Sequence, residues 1–500
     1  MARRTSLVTE LRALLGADRV VEAENDRLTY TYDASFLSHL MTCVPDAVVV
    51  AQTQEDVVKT LRFADERAIP ITPRGAASGQ AGGTIPTRGG IVLALNRMTR
   101  ILEIDAPNLQ AVVEPGIIHA RLNQALAPHR VIFPPDPGSS RMCTVGGMAS
   151  TNAHGMRAVK YGPTADWVLG LDVVLPGGRV LTTGCVSSRA RQSSSGFELT
   201  KLFVGSEGSL GIITRLRLKL LPIPAARAAV LALFDQLENA GRAVSAVFQA
   251  GILPSAAELL DRGAIRAVNL YRPSLRLPDC EALLLFEVDG NPPGVEYDAR
   301  RVVEAVQHLT VRADWSVDPK RIAALWEGRS VVGAASAMVR PGGFRAFCGE
   351  DICVPLDRIP DALRELREIG ARHGIPVVTY GHIGGGGLHP GLLIDAHSPV
   401  EVVTVQRVAD EIHRLALRLG GTTTGEHGVG LARAPYMPRE HGEALDVMRR
   451  VKAALDPKGI MNPGKVIPLT DDGVPLVVEP PAHAPLAGSA PVAAAYDDLG

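Results

Sequence analysis

The chain of 500 residues is 46% hydrophobic, which is enough to bury a large core and to form two or three domains. Its 52 basic and 53 acidic residues leave a net charge of -1, and no basic run stands out, which disfavours a nucleic-acid partner. The six cysteines form no CxxC pair, so zinc ribbons and iron–sulfur clusters are disfavoured and a reducing compartment is expected. There is neither a signal-peptide h-region nor a long uncharged apolar window. We therefore expect a cytoplasmic protein, or one that is peripheral at the inner membrane face.

The first half of the chain predicts strands separated by loops of small residues. After a helical lead-in at 1–40, hydrophobic runs predict a helix at 55–67 and strands at 48–50, 69–72, 91–95, 169–175, 179–183 and 215–220. Three glycine-rich segments lie among them, at 73–83, 133–162 and 205–214. The first follows neither the Walker nor the Rossmann spacing, and by itself a plain turn explains it equally well. Together, the three segments indicate close backbone contact with an extended dinucleotide and its pyrophosphate.

The second half predicts alternating helices and strands, which suits an α+β domain with a helix-backed antiparallel sheet. Hydrophobic patterns predict strands at 228–233, 283–288, 351–354 and 376–380, and helices at 235–249, 297–309, 319–329, 359–373, 400–419 and 440–455. Residues 468–500 are rich in Ala and Pro with little to pack, so we expect a disordered tail there.

Two glycine-lined loops near the C-terminal end carry three histidines and a carboxylate. Residues seven apart on one strand would point to opposite faces, but the four glycines between His382 and His389 can turn the backbone so that both imidazoles face one ion. Glu426 adds an oxygen ligand, and His427, if it is not a ligand, is free to act as a general base. For either loop alone a solvated loop with incidental histidines is the simpler explanation; the two loops together favour a site.

Three segments resemble a known flavoprotein family. PRGAASGQAGG (73–83), PPDPGSSRMCTVGGMASTNAHG (134–155) and GSEGSLGIITRLRLKL (205–220) resemble the FAD-binding domain of the vanillyl-alcohol oxidase and p-cresol methylhydroxylase (PCMH) family, in particular its D-2-hydroxyacid dehydrogenases, the D-lactate dehydrogenases and glycolate oxidase FAD subunits. The resemblance covers residues 40–467 and keeps the family order. It implies an α+β fold with a two-part PCMH-type FAD-binding domain at 41–222. An α+β cap of the FAD-linked oxidase C-terminal type, derived from a ferredoxin-like fold, would follow at 223–467.

The resemblance also implies how FAD is held. The histidine that binds flavin covalently in some relatives corresponds to Ala77, so non-covalent FAD is implied. His154 stands where relatives often carry Gly, and we interpret it as a tolerated substitution. The implied FAD-binding residues are Pro73, Arg74, Gly75, Ala76, Ala77, Ser78, Gly79, Pro135, Asp136, Thr144, Gly146, Gly147, Ser150, Asn152, Gly155, Gly162, Glu207, Gly211, Ile212 and Asn462.

For the metal site, the resemblance assigns ligand roles to His382, His389 and Glu426, and the role of base to His427. A site of two histidines and a glutamate does not choose among zinc, manganese and iron. Residues 385 and 387 are Gly where the family usually has Asp and Asn. Because such polar groups orient ligands or substrate, the metal affinity and the identity of the substrate stay open.

The resemblance also suggests which residues bind the substrate. The segment LWEGR (325–329) implies that Arg329 holds the substrate carboxylate, with a solvated helix arginine as the alternative. Arg340 is a weaker second candidate. Gly349 aligns with a Lys that hydroxyglutarate enzymes use for a second carboxylate, which favours a monocarboxylic substrate.

These features predict FAD-dependent, metal-assisted oxidation of a D-2-hydroxy acid of the lactate or glycolate type to the 2-oxo acid, with hydride transfer to flavin N5. The electron acceptor would be external: a quinone, a cytochrome, an electron-transfer flavoprotein or an iron–sulfur subunit. A homodimer and a hetero-oligomer both stay open.

One alternative function is a same-fold oxidase of an alcohol or phenol that uses oxygen, which leaves the histidine loops unexplained. A zinc metallohydrolase, which would be colourless, is the second alternative. A non-catalytic binding module is the least favoured interpretation, because it needs neither metal ligands nor a base.

Overall fold

The computed structural model describes residues 2–184 and 188–469. The tail expected at 468–500 therefore lies, from residue 470 onward, outside the described residues. Among the helices that the structure describes, none has both the length and the apolar character needed to cross a membrane.

Residues 2–222 are built on two sheets. A parallel sheet has the strand order β1–β3–β2, and an antiparallel sheet has the order β4–β5–β9–β7–β8, with β6 and β10 paired beside them. The strands are β1 (Ala47–Val50), β2 (Ile71–Arg74), β3 (Ile91–Ala94), β4 (Ile101–Asp105), β5 (Gln110–Val113), β6 (Val131–Ile132), β7 (Val168–Val174), β8 (Val180–Thr182), β9 (Ile212–Lys219) and β10 (Leu221–Pro222). The helices are α1 (Ala2–Leu15), α2 (Glu24–Arg27), α3 (Leu37–Leu40), α4 (Gln54–Glu66), α5 (His119–Leu126), α6 (Val145–Thr151), α7 (Ala158–Tyr161) and α8 (Thr200–Phe203).

Helix α4 shows why the sequence folds in this way locally. The Thr53 hydroxyl accepts a hydrogen bond from the backbone N–H of Asp56, whose carboxylate in turn accepts one from the N–H of Thr53. This reciprocal cap satisfies two backbone donors at the helix start. Val57, Leu61 and Ala64 follow at helical spacing and are buried against the parallel sheet.

Residues 226–455 form a second, larger sheet with helices on both faces. Its strand order is β14–β11–β13–β12–β17–β18–β15, with β16 also paired to β18, and every described pairing is antiparallel. The strands are β11 (Ala226–Phe234), β12 (Ala256–Asp261), β13 (Ala282–Gly290), β14 (Arg312–Ser316), β15 (Phe344–Ala346), β16 (Ile352–Cys353), β17 (Val377–Gly381) and β18 (Gly387–Ile394). The helices are α9 (Leu237–Gln249), α10 (Arg262–Tyr271), α11 (Pro292–Val306), α12 (Pro319–Ala335), α13 (Ile359–His373), α14 (Pro399–Arg418), α15 (Met437–His441) and α16 (Ala444–Leu455).

The two faces of this sheet differ in their cover. Helices α9, α11, α13 and α14 share one large hydrophobic core with it, whereas α10 and α12 cover the other face through a smaller core. Tyr380 and Glu258, which are described below, lie on the face under α12: Tyr380 belongs to the smaller core, and Glu258 contacts Arg329 of that helix. The expected helix-backed antiparallel sheet, and with it the mixed helix and strand content, is confirmed.

The structure also departs from the sequence-based expectation, as three examples show. The helix expected at 440–455 is two helices, because Gly442 adopts a left-handed conformation with φ of 51°. Residues 387–394 form a strand although their glycine-rich start suggested a loop. Strand β12 and helix α10 were not predicted at all, because Glu258 and Asp261 interrupt the apolar pattern of a strand that is nevertheless buried throughout.

We expect Phe286→Ala to lower the free energy of unfolding by about 3–5 kcal/mol, because this ring is fully buried in the large core and its loss leaves a cavity. Urea denaturation followed by circular dichroism measures the change. Phe197→Ala is the control, since that ring is 96% exposed and its loss should cost less than about 0.5 kcal/mol. Equal effects in the two variants would contradict the core assignment.

Candidate functional site

A tight hairpin carries the first two histidines. Strand β17 ends at Gly381, the chain turns through residues 383–386, and β18 returns with His389 opposite Tyr380. The turn requires Gly386, whose φ of 83° is left-handed and whose added Cβ would lie 2.0 Å from a backbone oxygen. The ring centroids of His382 and His389 are 5.0 Å apart, so the glycines bring these two histidines together as expected.

The Glu426 carboxylate is the meeting point of three imidazoles. Its Oε1 lies 3.3 Å from Nε2 of His382, 3.5 Å from Nε2 of His389 and 3.4 Å from Nε2 of His427. The rings of His389 and His427 stack with a centroid distance of 5.5 Å. All four residues predicted from the two loops therefore converge in one cluster.

Asp351 holds the loop that presents Glu426 and His427. Its carboxylate accepts hydrogen bonds from the backbone N–H of Glu426 at 3.1 Å, from that of His427 at 2.8 Å, and from the Thr424 hydroxyl at 2.6 Å. Nδ1 of His427 faces the same carboxylate at 3.7 Å. Sequence reasoning missed Asp351, which was expected only as the start of a strand and in fact has a left-handed φ of 82°.

Glu258 on β12 is a third carboxylate of the site, and sequence reasoning missed it too. It is fully buried and accepts hydrogen bonds from Nδ1 of His382 at 2.9 Å and from Nε of Arg329 at 2.6 Å. The Arg329 guanidinium also lies 5.0 Å from the centre of the Tyr380 ring, which in turn contacts the His389 ring. Arg329 therefore lies beside the histidine cluster.

The charges of the cluster are strongly coupled. Burial disfavours the charged form of His382, but the carboxylates of Glu258 and Glu426 outweigh burial and raise the pKa of His382 to about 10. Burial also opposes ionisation of Glu426, yet His382 and His427 hold the pKa of its carboxyl well below the usual range. Burial and the neighbouring His382 cation lower the pKa of His389. The two carboxylates thus favour the protonated form of His382, and the two imidazoles favour the ionised form of Glu426.

Two overlapping groups of residues can hold a divalent metal. Asp351, His389, Glu426 and His427 place one ligand atom each within 4.8 Å of one another. The predicted set instead joins His382 to His389 and Glu426. We favour the predicted set, because the Asp351 oxygens already accept bonds from the loop backbone, whereas Nδ1 of His382 is bound by a carboxylate and its Nε2 points to Glu426, as is usual for metal-ligating histidines.

Arg340 does not join the cluster. Its guanidinium makes two contacts with the Glu401 carboxylate, at 2.6 and 2.8 Å, and donates to the backbone oxygen of Leu393 at 3.0 Å. Leu393 is four residues beyond His389 on β18, which corresponds to about 13 Å along a strand. The geometry thus separates Arg340 from Arg329.

Arg345 on β15 is a further cation near the cluster. It is buried, donates from Nη1 to the Gly333 oxygen at 3.2 Å, and lies 5.1 Å from the Tyr380 ring centre. Sequence reasoning missed it, because nothing in its neighbours marks a short edge strand as part of a site.

The first glycine-rich segment fits a phosphate-bearing cofactor. Among the described residues, the backbone N–H groups of 75–83 donate no hydrogen bond to another protein group. Ala77 has a left-handed φ of 55°, a conformation in which successive N–H groups converge on an anion. A Cβ added at Gly75 would lie 2.5 Å from the Thr144 hydroxyl, so the first and second segments touch and can line one extended ligand.

Several of the polar side chains expected to bind FAD are used within the protein. Arg74 donates to the Thr29 and Tyr32 backbone oxygens of the N-terminal region. Glu207 accepts hydrogen bonds from the backbone N–H groups of residues 429 and 430, and its own backbone oxygen accepts one from the Asn462 side chain. Contact of these residues with FAD would therefore be made chiefly through their backbone.

The other residues expected to bind FAD lie in the same three segments and on the strands beside them. Pro73 lies in β2, Thr144 caps α6, and Ile212 begins β9. Asn152 ends α6, and its side chain accepts the N–H of Ala165. The remaining members are Ala76, Ser78, Gly79, Pro135, Gly146, Gly147, Ser150, Gly155, Gly162 and Gly211.

The segment 154–161 joins the two halves of the molecule. Arg157 donates to the carboxylates of Asp136 and Glu287, at 2.6 and 2.9 Å, and thereby bridges the second glycine-rich segment to β13. Lys160 and Tyr161 both bind the Asp289 carboxylate. The histidine cluster consequently lies at the junction between the two halves.

The comparisons with known proteins agree with this architecture. A "FAD binding domain" model matches residues 45–184, and a "FAD linked oxidases, C-terminal domain" model matches residues 223–466. The solved structures of p-cresol methylhydroxylase (TM-score 0.76, 18% identity) and of 4-ethylphenol oxidase from Gulosibacter chungangensis (TM-score 0.78, 20% identity) share the fold, each over 94% of this chain and 98% of that structure. The protein is thus a two-domain, PCMH-type FAD-dependent oxidoreductase.

Comparison with curated relatives identifies the sequence family to which the chain belongs. The chain is 37% identical over 461 residues to the glycolate oxidase subunit GlcD of Bacillus subtilis (strain 168), which spans 91% of this chain and 96% of that protein. It is 34% identical over 476 residues to the mitochondrial D-lactate dehydrogenase (cytochrome) of Arabidopsis thaliana, which spans 92% of this chain and 80% of that protein. The chain belongs to the FAD-linked oxidase family, and the metallohydrolase alternative is thereby set aside.

We expect Glu258→Ala to lower the free energy of unfolding by about 3–5 kcal/mol, because it leaves the buried Arg329 without its counter-charge. Urea denaturation of the FAD-loaded protein measures the loss. Glu296→Ala is the control, since it removes an exposed ion pair with Arg300 and should cost less than about 1 kcal/mol. A loss of the same size in both variants would show that Glu258 is not the buried anchor described here.

Proposed function

We propose that the protein oxidises a D-2-hydroxy acid of the lactate or glycolate type to the 2-oxo acid, with the assistance of a divalent metal. The observation that carries the proposal is the position of Arg329, a buried cation held beside a cluster of three imidazoles and a carboxylate. Such an arrangement offers one group for a carboxylate and another for an adjacent hydroxyl. The names of the relatives, glycolate oxidase subunit and D-lactate dehydrogenase, support the same substrate class.

Arg329 would bind the substrate carboxylate. Its Nε is taken by Glu258, and among the described residues neither terminal nitrogen donates a hydrogen bond to the protein. A guanidinium held in this way presents two N–H groups in a planar fork that matches a carboxylate. Glu258 would therefore keep Arg329 from turning away when no substrate is present.

His427 would take the proton of the substrate hydroxyl. Burial opposes its charged form, but the Asp351 and Glu426 carboxylates outweigh burial and raise the pKa of His427, which makes the imidazole a better proton acceptor. Asp351 also fixes the backbone of His427, so the ring has a defined position. When bound, the metal held by His382, His389 and Glu426 would polarise the hydroxyl, and FAD would accept the hydride.

The FAD-binding residues predicted from the three glycine-rich segments remain part of the proposal, with non-covalent FAD because residue 77 is Ala. We place the FAD-binding domain at 41–222 and the cap at 223–467. Zinc, manganese and iron stay open as the metal, because two imidazoles and a carboxylate accept all three.

The substrate would be a small monocarboxylate. Gly349 supplies no second cation, and its added Cβ would lie 3.2 Å from Ala409 of α14. An added Cβ at Gly385, where the resemblance implies Asp, would meet no atom within 4 Å. Electrons would leave through an external acceptor, for which a quinone, a cytochrome, an electron-transfer flavoprotein and an iron–sulfur subunit all stay candidates.

We expect an anaerobic solution of the purified protein to lose its yellow flavin absorbance on addition of D-lactate or glycolate, and to keep it with L-lactate. Absorbance near the flavin maximum is the measurement. The L acid is the matched control, because it has the same charge and size. Bleaching by a phenol and by neither acid would contradict the proposal and favour the same-fold oxidase.

We expect His427→Ala to slow flavin reduction by about 10²- to 10⁴-fold, the contribution of a positioned general base, while the FAD content stays unchanged. Anaerobic stopped-flow absorbance gives the reduction rate. His397→Ala is the control, since that histidine is exposed in the loop after β18. A His427→Ala rate within twofold of the wild-type rate would remove His427 as the base.

A further inference from the structure

His154 contacts the histidine cluster of the cap, although it belongs to the FAD-binding half of the chain. Its Nε2 is 3.0 Å from the backbone oxygen of Gly425, and its Nδ1 is 3.5 Å from Oε2 of Glu426. Nδ1 is buried and makes no hydrogen bond with the described residues. The sequence alone led us to interpret His154 as a tolerated substitution, and its position beside Glu426 suggests a further role.

The contact with Gly425 determines the tautomer of His154. A backbone oxygen can only accept, so Nε2 must carry the hydrogen. In the neutral ring Nδ1 is then a bare acceptor. Two acceptors, Nδ1 and the Glu426 oxygen, therefore face each other, which is the arrangement that a cation satisfies.

The Glu426 carboxylate divides its two oxygens between the halves of the molecule. Oε1 faces the histidines of the cap, and Oε2 faces His154. The ring centroid of His154 lies 6.5 Å from that of His382. His154 is thus beside the predicted ligands and on the side of Glu426 that they leave open.

The backbone that carries His154 is held in place independently of any metal. Arg157 is bound to Asp136 and Glu287, and Lys160 is bound to Asp289. Gly384 of the hairpin turn packs on the same segment, since an added Cβ would lie 3.1 Å from Val159. A ligand supported in this way pays little ordering cost when an ion arrives.

We propose that His154 is an additional ligand of the divalent metal, so that the metal site is closed jointly by the FAD-binding domain and the cap. The inference rests on the proposed metal site. It assigns a role to a buried imidazole nitrogen that faces Glu426 and has no hydrogen-bond partner among the described residues. The imidazole nitrogen would favour a metal that accepts nitrogen ligands, such as zinc, over magnesium or calcium.

The test compares two substitutions that separate the two ring nitrogens. His154→Gln places an amide near Nε2, which keeps the contact with Gly425 and removes the ligand atom at Nδ1. His154→Asn places a carbonyl oxygen near Nδ1 and keeps an acceptor there. His129→Gln is the control, since that histidine is exposed in the FAD-binding half.

Zinc affinity of the FAD-loaded protein is measured by competition with a chelator at buffered free Zn²⁺, and FAD content is measured by absorbance. We expect His154→Gln to weaken zinc binding by at least about 10- to 100-fold, the loss seen even for groups that only support a ligand. His154→Asn should lose less, and His129→Gln should match the wild type, with FAD content equal in all.

Two results would overturn the inference in distinguishable ways. If wild-type protein binds zinc and His154→Gln binds it within twofold as tightly, His154 is not a ligand and the proposed function stands. If wild-type protein binds none of zinc, manganese and ferrous iron, the metal-assisted part of the proposed function fails together with the inference.

Discussion

The site depends on one fully buried carboxylate, Glu258. Removing a carboxylate from water costs several kcal/mol unless it is well paired, and here the guanidinium of Arg329 and the imidazole of His382 supply the pairing. One partner comes from helix α12 and the other from the β17–β18 hairpin, so a single charge sets the position of both elements. The group proposed to bind the substrate and one proposed metal ligand therefore share a counter-charge, and neither can move without affecting the other.

A second consequence concerns protons. The carboxylates of Glu258 and Glu426 raise the pKa of His382 and so favour its protonated form. A metal ligand must be deprotonated, so binding of a divalent ion at His382 would release that proton and replace one positive charge by two. Metal affinity should then weaken as the pH falls. Asp351 has a different task, because its bonds to the 424–427 backbone hold the shape of the loop whether or not an ion is bound.

The sequence allowed the two histidine loops, the three glycine-rich segments and the mixed sheet to be predicted, because glycine spacing and apolar periodicity are local signals. The partners of those residues were beyond its reach. Glu258 was missed because an acid within an apolar run looks like the end of a strand, and only the tertiary structure shows that two cations neutralise it. From the sequence, Arg329 and Arg340 could be ranked as carboxylate-binding residues only by resemblance. The folded structure distinguishes them, because Arg329 pairs with Glu258 and Arg340 pairs with Glu401. The contact of His154 with Gly425 could not be predicted, because the two residues are 271 positions apart along the chain.

The junction at residues 154–161 bears on how freely the two halves could be exchanged during evolution or by recombination. Glu287 is fully buried and Asp289 nearly so; Arg157 and Lys160 of the other half neutralise them, and Tyr161 donates a further hydrogen bond to Asp289. A cap grafted onto a different flavin-binding half would keep both acids without these cations. Each half therefore has its own fold, but the buried acids of the cap need cations from the other half. A viable chimera must transfer the 154–161 segment together with the cap.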